Sequence, residues 1–297
     1  MRRFAIGDIH GCSKALHTLI ECIDPQPDDD LIFLGDYVDR GPDSRGVIDL
    51  ILSLQDQCNV IALKGNHEIM LCGVAFGGLD PDIWMQSGGK ATVSSYGGSL
   101  EKIPASHRSF LQSLKNFHET DGAIFVHASY DPNLSMDQQK DELLFWNHLP
   151  PVPSEHQSGK RVYVGHTPQG DGTIMDLGHI VCIDTYCFGT GYLTAMNVGT
   201  DELIQVDKKG FRRRVPAEAF FALISSGCKR LKGLLKRSPN VPSQSSSEPA
   251  RRKQQRPASP SAEPDPSLLQ TTAAPSPTES TVTAQAVSSE RQESLDG

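Results

Sequence analysis

The chain has 297 residues, a formal net charge of −8 and seven cysteines. The acidic balance argues against a nucleic-acid partner, because affinity for the phosphate backbone depends on clustered Lys and Arg. An odd number of cysteines without a CxxC pair favours the reduced thiols of a cytoplasmic protein over a disulfide framework, and no apolar run reaches the ~20 residues of a transmembrane segment.

The composition changes towards the C-terminus. Residues 238–297 contain no Phe, Trp or Tyr and are rich in Pro, Ser, Thr, Gln and Ala. Such a segment cannot bury enough apolar surface to offset the entropy lost on ordering. We therefore expect one folded domain at 1–210, a basic amphipathic helix or linker at 211–237, and a disordered Pro/Ser-rich tail at 238–297.

Three units of similar build open the chain. Apolar runs end at Ile6, Leu34 and Leu63, and each is followed by a polar turn that contains glycine. Apolar residues at helical spacing follow the first two turns, and an apolar segment follows the third. Strands that alternate with helices in this way predict an α/β fold.

The middle of the chain is less regular. Two Gly-Gly pairs within residues 84–98 predict a loop-rich insertion, and the apolar spacing of residues 106–117 predicts a helix. Two later strands each deliver a histidine at their carboxyl end, His127 and His166. Three more strands are expected to form a second, more antiparallel sheet, at residues 179–184, 192–198 and 203–206. A two-sheet β-sandwich with outer helices accommodates this order.

Six possible metal ligands follow the expected strands, namely Asp8, His10, Asp36, Asn66, His127 and His166. Open α/β sheets bind ligands beyond the carboxyl ends of their strands. Six oxygen and nitrogen donors suit two divalent metals that share one carboxylate. The set contains no thiolate, and it combines imidazoles that suit Zn or Fe with oxygens that suit Mn.

The motifs Gly7-Asp8-Ile9-His10-Gly11, Gly35-Asp36-Tyr37-Val38-Asp39-Arg40-Gly41, Gly65-Asn66-His67-Glu68, His127-Ala128 and Gly165-His166-Thr167 occur in this order. Together they resemble the motif set of the phosphoprotein phosphatase family of calcineurin-like metallophosphoesterases, closest to its bacterial and phage-type members. The resemblance covers roughly residues 3–207. It implies the fold of that superfamily, a two-sheet β-sandwich flanked by helices, and makes 1–210 the catalytic domain.

The resemblance also implies a role for each residue of the metal set. Asp8 and His10 hold the first metal, and Asp36 bridges. Asn66, His127 and His166 hold the second. The implied cofactors are two divalent metal ions, with Mn²⁺ favoured and Fe or Zn as alternatives. The implied reaction is direct attack of metal-bound hydroxide on a phosphomonoester.

Two further motif residues have implied roles in catalysis and a third in binding phosphate. His67 is the general acid for the leaving alkoxide, and Asp39 orients it and favours its charged form. Arg40 binds the substrate phosphate through a planar guanidinium, and Asn66 contributes to the same phosphate site.

The chain departs from the family pattern at three places. Lys64 precedes Gly-Asn-His-Glu where Arg is common, so it is a candidate for binding the substrate phosphate that keeps the charge without the bidentate fork. His148 stands two residues after a Trp, where small relatives place a phosphate-binding Arg. Either His148 takes that task, or Arg161 or Lys160 does. Tyr186 follows Ile183-Asp184-Thr185 where many relatives have Gly. We expect Asp184 to orient a metal ligand without binding the metal itself.

Three hypotheses for the function remain. The first is a metal-dependent serine/threonine protein phosphatase with phosphorylated proteins as substrates, which the intact Asp39 and Glu68 favour. The second is a bis(5'-nucleosyl)-tetraphosphatase that hydrolyses diadenosine polyphosphates. The third is a non-catalytic phosphoprotein-binding scaffold, against which the complete set of metal and acid residues speaks. The basic amphipathic stretch at 217–237 is either a helix packed on the domain or a contact with a partner or a membrane surface.

Overall fold

The computed structural model of the protein describes residues 1–213. The basic amphipathic stretch at 217–237 and the tail at 238–297 lie outside the described residues. The domain boundaries therefore stay predictions. Within residues 1–213, no helix has both the length and the apolar character that crossing a bilayer requires.

Within residues 1–213, ten strands form two five-stranded sheets. The first sheet has the order β10-β9-β1-β2-β3 and the second the order β4-β5-β6-β8-β7. The strands of the first sheet are β1 (Arg3–Ile6), β2 (Asp30–Phe33), β3 (Asn59–Ala62), β9 (Tyr192–Asn197) and β10 (Leu203–Asp207). Those of the second sheet are β4 (Phe117–Glu119), β5 (Ala123–Val126), β6 (Arg161–Val164), β7 (Met175–Asp176) and β8 (Ile180–Cys182).

Six α-helices accompany the sheets within the described part of the chain. They are α1 (Ser13–Ile23), α2 (Ser44–Leu54), α3 (Asn66–Gly77), α4 (Asp82–Trp84), α5 (Lys90–Ser95) and α6 (Ala105–Ser113). The apolar stripe that predicted α1 is the face that it buries, through Leu16, Leu19 and Ile23. Burying each such side chain contributes about 1.5–3 kcal/mol to the free energy of folding.

Parallel pairing brings the polar turns to one edge of each sheet. Strand β1 pairs in parallel with β2, and β2 with β3. In the second sheet, β6 pairs in parallel with both β5 and β8. The carboxyl ends of these six strands therefore point to common edges, where open α/β sheets place their ligands.

The two sheets pack against each other through an apolar cluster. Ala5, Ile32 and Leu34 from the first sheet lie in the same buried cluster as Phe125 and Tyr163 from the second. The predicted two-sheet sandwich flanked by helices is confirmed. This packing matters for function because it holds the two edges of polar turns next to one another.

The predicted second sheet was partly wrong. Of its three expected strands only β8 lies there, whereas β9 and β10 belong to the first sheet, since β9 pairs antiparallel with β1 and β10 with β9. Alternation of apolar residues identifies a strand and its buried face, but it does not identify the neighbouring strand.

Two local predictions also need correction. Residues 84–98 are mainly helical, since α4 leads through a π-helical turn at Met85–Gly89 into α5. The helix expected at 106–117 ends at Ser113, and Phe117 already belongs to β4. Gly88-Gly89 thus lies at a kink between two short helices, where Gly88 has a φ of +114°, whereas Gly97-Gly98 lies in a turn.

Candidate active site

Turns at the carboxyl edge of the first sheet supply four of the six candidate metal ligands. Asp8 and His10 follow β1, Asp36 follows β2, and Asn66 and His67 form the first turn of α3. The sequence predicted a turn at 65–68, and the structure shows that only Gly65 precedes the helix. His10 and Asp36 have φ of +46° and +52°, a conformation that costs a residue with a Cβ about 1–2 kcal/mol.

The carboxyl edge of the second sheet supplies the other two ligands and Asp184. His127 follows β5 directly, and His166 and Asp184 come two residues after β6 and β8. His127 and Asp184 are buried, while His166 is partly exposed. All six residues predicted as metal ligands, and Asp184 with them, thus lie where the two edges meet.

Asp36 lies at the centre of this group. One carboxylate oxygen is 3.4 Å from Nε2 of His10, and the other is 3.4 Å from Nε2 of His127. Ligand atoms of Asp36, His127 and His166 lie within 4.8 Å of one another, and so do those of His10, Asp36 and His67. Asp36 therefore joins two adjacent clusters of donors, as a bridging carboxylate would.

Backbone carbonyls fix the tautomer of each candidate histidine ligand. His10 donates its Nδ1–H to Val38 O (2.9 Å), and His127 donates its Nδ1–H to Leu34 O (2.8 Å). His166 instead donates its Nε2–H to the carbonyl of Trp146 (3.1 Å). The second nitrogen of each ring is left as a lone pair, which is how metal-binding histidines are commonly oriented.

This donor chemistry fits divalent metal ions. Burial lowers the pKa of His10, His127 and His166, the last to about 4, and so favours the neutral imidazoles that metals bind. The lone pair on His127 Nε2 lies 3.2 Å from the side-chain oxygen of Asn66. Two acceptors that face each other repel unless a cation lies between them.

Asp8 and Asp184 add two buried carboxyl groups to the site. Burial, together with the charges of Asp184 and Asp36, raises the pKa of Asp8 well above its usual range. Burial raises the pKa of Asp184 to about 6. The backbone N–H of His166 donates to the Asp8 carboxylate at 3.1 Å. Buried carboxylates at such close quarters are stabilised by a bound cation.

His67 and Asp39 form a buried pair beside the clusters. Nδ1 of His67 lies 2.7 Å from the Asp39 carboxylate, and its Nε2 lies 3.9 Å from Asp36. Burial lowers the pKa of His67, but the carboxylates of Asp36 and Asp39 outweigh it, so the pKa is raised overall. A charged imidazole with one nitrogen held and the other facing the site can donate a proton.

Arg40 reaches the same site from the turn after β2. Its Nη1 donates to Nε2 of His10 (2.8 Å), and its guanidinium lies 4.6 Å from the ring centre of Phe188. Arg40 and a metal at His10 would compete for one lone pair. The sequence motifs did not single out Phe188, whose position follows only from the turn after β8.

Glu68 is a buried residue whose function the sequence did not specify. Its carboxylate accepts hydrogen bonds from the backbone N–H groups of Asp36 (2.9 Å), Tyr37 (2.8 Å) and Gly65 (2.9 Å). It therefore fastens the turn after β2 to the start of α3. The Gly-Asn-His-Glu motif contains Glu68, but the hydrogen-bond partners of Glu68 depend on the fold.

The basic residues considered for the second phosphate contact differ in position. His148 is exposed, and its ring centre lies 5.0 Å from that of His166. Lys64 donates to Asn116 at 3.3 Å. The other two candidates are engaged in ion pairs: Arg161 with Asp176 and Asp201, and Lys160 with Glu119. Of the four, His148 is the one that contacts a candidate ligand.

Comparison with known proteins agrees with this geometry. The sequence model of the calcineurin-like phosphoesterase family matches residues 1–195. The chain belongs to this family. In this calcineurin-like phosphoesterase, the ligands described above are the candidates for holding divalent metal ions.

Relatives of this calcineurin-like phosphoesterase differ in substrate. A symmetrical bis(5'-nucleosyl)-tetraphosphatase from Legionella pneumophila (strain Lens) is 47% identical over 79 residues, which are 26% of this chain and 28% of that protein. Serine/threonine-protein phosphatase 1 from Salmonella typhimurium is 29% identical over 206 residues, 66% of this chain and 91% of that protein. The alignment thus spans about a quarter of the tetraphosphatase and nearly all of the phosphatase.

Solved structures share the fold of this phosphoesterase. A proposed diadenosine tetraphosphatase has a TM-score of 0.53 at 22% identity and covers 69% of this chain and 92% of its own. The cold-active protein-tyrosine phosphatase of a Shewanella species has a TM-score of 0.51 at 17% identity, covering 71% and 79%. At such identities the likeness concerns the fold alone.

Proposed function

We propose that this phosphoesterase removes phosphate from phosphoserine and phosphothreonine in proteins. The observation that carries the proposal is the buried pair of His67 and Asp39, 2.7 Å apart. The leaving group of a serine or threonine phosphate is an alkoxide, which needs a proton as the bond breaks. When an anhydride such as diadenosine tetraphosphate is hydrolysed, the leaving group is a stable nucleotide phosphate anion, which needs no general acid.

The side chains divide the work of the proposed reaction. Arg40 and the amide of Asn66 bind phosphate oxygens, and a guanidinium suits this because its parallel N–H groups match two of them. His67 gives the proton on Nε2 to the leaving oxygen, while Asp39 holds Nδ1 and stabilises the imidazolium. Phe188 stacks on Arg40 and limits the positions that its guanidinium can take.

Two divalent metals complete the proposed site. Asp8, His10 and Asp36 would hold one, and Asp36, Asn66, His127 and His166 the other. When bound, such metals neutralise phosphate charge and lower the pKa of water so that it attacks at neutral pH. We propose Mn²⁺ as the metal, because carboxylate and amide oxygens share the site with imidazoles. We also propose a cytoplasmic location, because the cysteines of the described residues are free thiols.

Coverage of relatives also supports a protein substrate. The alignment with the Salmonella serine/threonine phosphatase spans 91% of that protein. The second candidate function is hydrolysis of diadenosine polyphosphates, which the higher identity to the Legionella tetraphosphatase favours over its 79 aligned residues.

A direct comparison of substrates tests the proposal. The purified chain with Mn²⁺ is assayed on a phosphothreonine peptide and on diadenosine tetraphosphate at equal concentrations, and kcat/KM is compared. We expect the peptide to be preferred and EDTA to abolish both activities. A strong preference for the dinucleotide would replace the first candidate function with the second, and activity that survives EDTA would remove the metals from the proposal.

A further inference from the structure

The segment Trp84–Thr92 lies against the turn that carries Asp39 and Arg40. Both of these residues have positive φ, +73° and +65°. Few residues other than glycine adopt this conformation, so two in succession need support from their surroundings. The backbone N–H of Arg40 donates to the carbonyl of Gly88 at 3.2 Å. The segment therefore supplies part of that support.

The hydroxyl of Thr92 makes two hydrogen bonds with Asp39, one as donor and one as acceptor. Its hydroxyl donates to one carboxylate oxygen of Asp39 at 2.6 Å and accepts from the backbone N–H of Asp39 at 2.9 Å. Ser44 accepts from the same N–H at 3.0 Å. Thr92 is fully buried, so no water can replace these bonds. The hydroxyl fixes both the main chain and the side chain of Asp39.

Trp84 contacts the other carboxylate oxygen of Asp39. Its indole Nε1–H donates to this oxygen at 2.8 Å, and the same oxygen faces Nδ1 of His67 at 2.7 Å. With Thr92 on the first oxygen, three side chains surround one carboxylate. Rotation of the Asp39 carboxylate would break at least one of these hydrogen bonds, so its orientation towards His67 is fixed.

Two glycines allow the segment to come this close. A Cβ at Gly88 would lie 2.9 Å from the backbone nitrogen of Arg40, and one at Gly89 would lie 2.5 Å from the Trp84 ring. These contacts are shorter than carbon atoms tolerate. The pattern Trp84-x3-Gly88-Gly89-x2-Thr92 thus has one physical explanation: the glycines make room, and the Trp and Thr donate to Asp39.

We infer that Trp84 and Thr92 are positioning residues that act on the general acid through Asp39. The inference rests on the proposed function, because it assigns to His67 the protonation of the leaving group. Without these two donors, the Asp39 carboxylate would turn away from His67, and the imidazole would lose both its orientation and its stabilised charge.

A leaving-group comparison in the full chain with Mn²⁺ tests the inference. Trp84→Phe and Thr92→Val keep ring and shape but remove the donors. On phenyl phosphate we expect kcat to fall about tenfold, a usual size for loss of a supporting hydrogen bond. On p-nitrophenyl phosphate we expect a smaller loss, since p-nitrophenolate needs less protonation. KM should stay within about twofold for both esters.

Three further variants serve as comparisons. Thr92→Ser keeps the hydroxyl and should restore the leaving-group dependence of the unaltered chain. Thr120→Val is the same change at a residue whose hydroxyl donates to Ala123 O (3.2 Å) in a turn after β4, and it should leave both rates unchanged. His67→Asn should show the greatest difference between the two esters. Equal losses on both esters for Trp84→Phe and Thr92→Val would overturn the inference.

A measurement on the metal-free chain separates this inference from the proposed function. With ¹⁵N-labelled histidine, the Nδ1–H proton of His67 is assigned by its disappearance in His67→Asn. We expect Thr92→Val and Trp84→Phe to shift this resonance and Thr120→Val to leave it in place. If the unaltered chain hydrolyses neither ester, the proposed function fails, but a shifted resonance still supports positioning. An unshifted resonance contradicts it.

Discussion

The two halves of the site differ in how their side chains are held. On the first sheet, His10, Asp39 and His67 are all at most 1% exposed, and polar side chains from several helices surround them. On the second sheet, His127 and Asp184 are buried as well, but His166 is partly exposed and its neighbour His148 is exposed. The half on the first sheet is enclosed and heavily hydrogen-bonded around His67, whereas the half on the second sheet opens to solvent at His166 and His148.

This difference separates two requirements of the chemistry. Proton transfer and charge placement need fixed geometry and exclusion of water, because electrostatic interactions weaken in a polar surrounding. A phosphorylated side chain also needs a way in. Enclosing the half that carries His67 and leaving the half around His148 open meets both needs within one site.

Replacing the residue that joins the two halves should have the largest effect. Asp36→Asn removes the charge between His10 and His127, so both clusters lose their shared ligand. We expect kcat/KM with Mn²⁺ to fall by about 10³-fold or more, equivalent to several kcal/mol, and metal content by elemental analysis to fall below that of the unaltered chain. Asp30→Asn, at the other end of β2, should retain metal and activity. Full metal content in Asp36→Asn would show that the halves bind independently.

A change confined to the enclosed half should separate catalysis from metal binding. His67→Asn removes the proposed acid but none of the six ligands proposed above. We expect kcat to fall by about 10²- to 10³-fold, within the range of general-acid contributions, with metal content still near that of the unaltered chain. Unchanged turnover would remove the general-acid role from His67.

A change in the open half should affect substrate binding more than turnover. His148→Ala removes an exposed basic side chain beside His166. We expect KM for a phosphopeptide to rise roughly fivefold, about 1 kcal/mol, with little change in kcat. His148→Arg should lower KM again, since a guanidinium binds phosphate more firmly.

Lys64→Ala is the comparison for His148, because Lys64 donates to Asn116. It should change KM by less than about twofold, because Lys64 is partly exposed and solvent screens its charge. A larger effect at Lys64 than at His148 would move the proposed phosphate contact from His148 to Lys64.

The smallest effect is expected at the end of the first sheet that lies away from the site. Arg2 donates to the Asp29 carboxylate (Nε to Oδ2 3.0 Å), and this hydrogen bond, opposed by burial, lowers the pKa of Asp29 to about 2. The carboxylate therefore stabilises the fold above pH ~4, and this contribution is lost as the pH falls towards 2.

Asp29→Asn should lower the free energy of unfolding at pH 7 by about 1 kcal/mol, allowing for the exposure of Arg2. The difference from the unaltered chain should shrink at pH 3, as measured by urea denaturation, and kcat should not change. A constant difference at both pH values would show that packing, not charge, accounts for the loss.

Much of the half of the site on the first sheet could be predicted from the sequence. The units around Ile6, Leu34 and Leu63 were predictable because apolar runs, glycine turns and helical spacing are local patterns. Parallel strands then place their following turns at one edge. Local information was therefore enough to predict that Asp8, His10, Asp36 and Asn66 would converge.

The remaining features depended on contacts between distant residues. The alternation that identified β9 and β10 did not reveal that β9 pairs with β1 and β10 with β9, because alternation carries no information about the neighbouring strand. The sequence also did not reveal that Thr92 and Trp84 contact Asp39, from which they are 53 and 45 residues away along the chain. By itself the sequence determined the metal ligands and the general acid that we propose. Only the tertiary structure decided which side chains hold them in place, because the orientation of a buried polar group depends on the partners that packing brings within hydrogen-bonding distance.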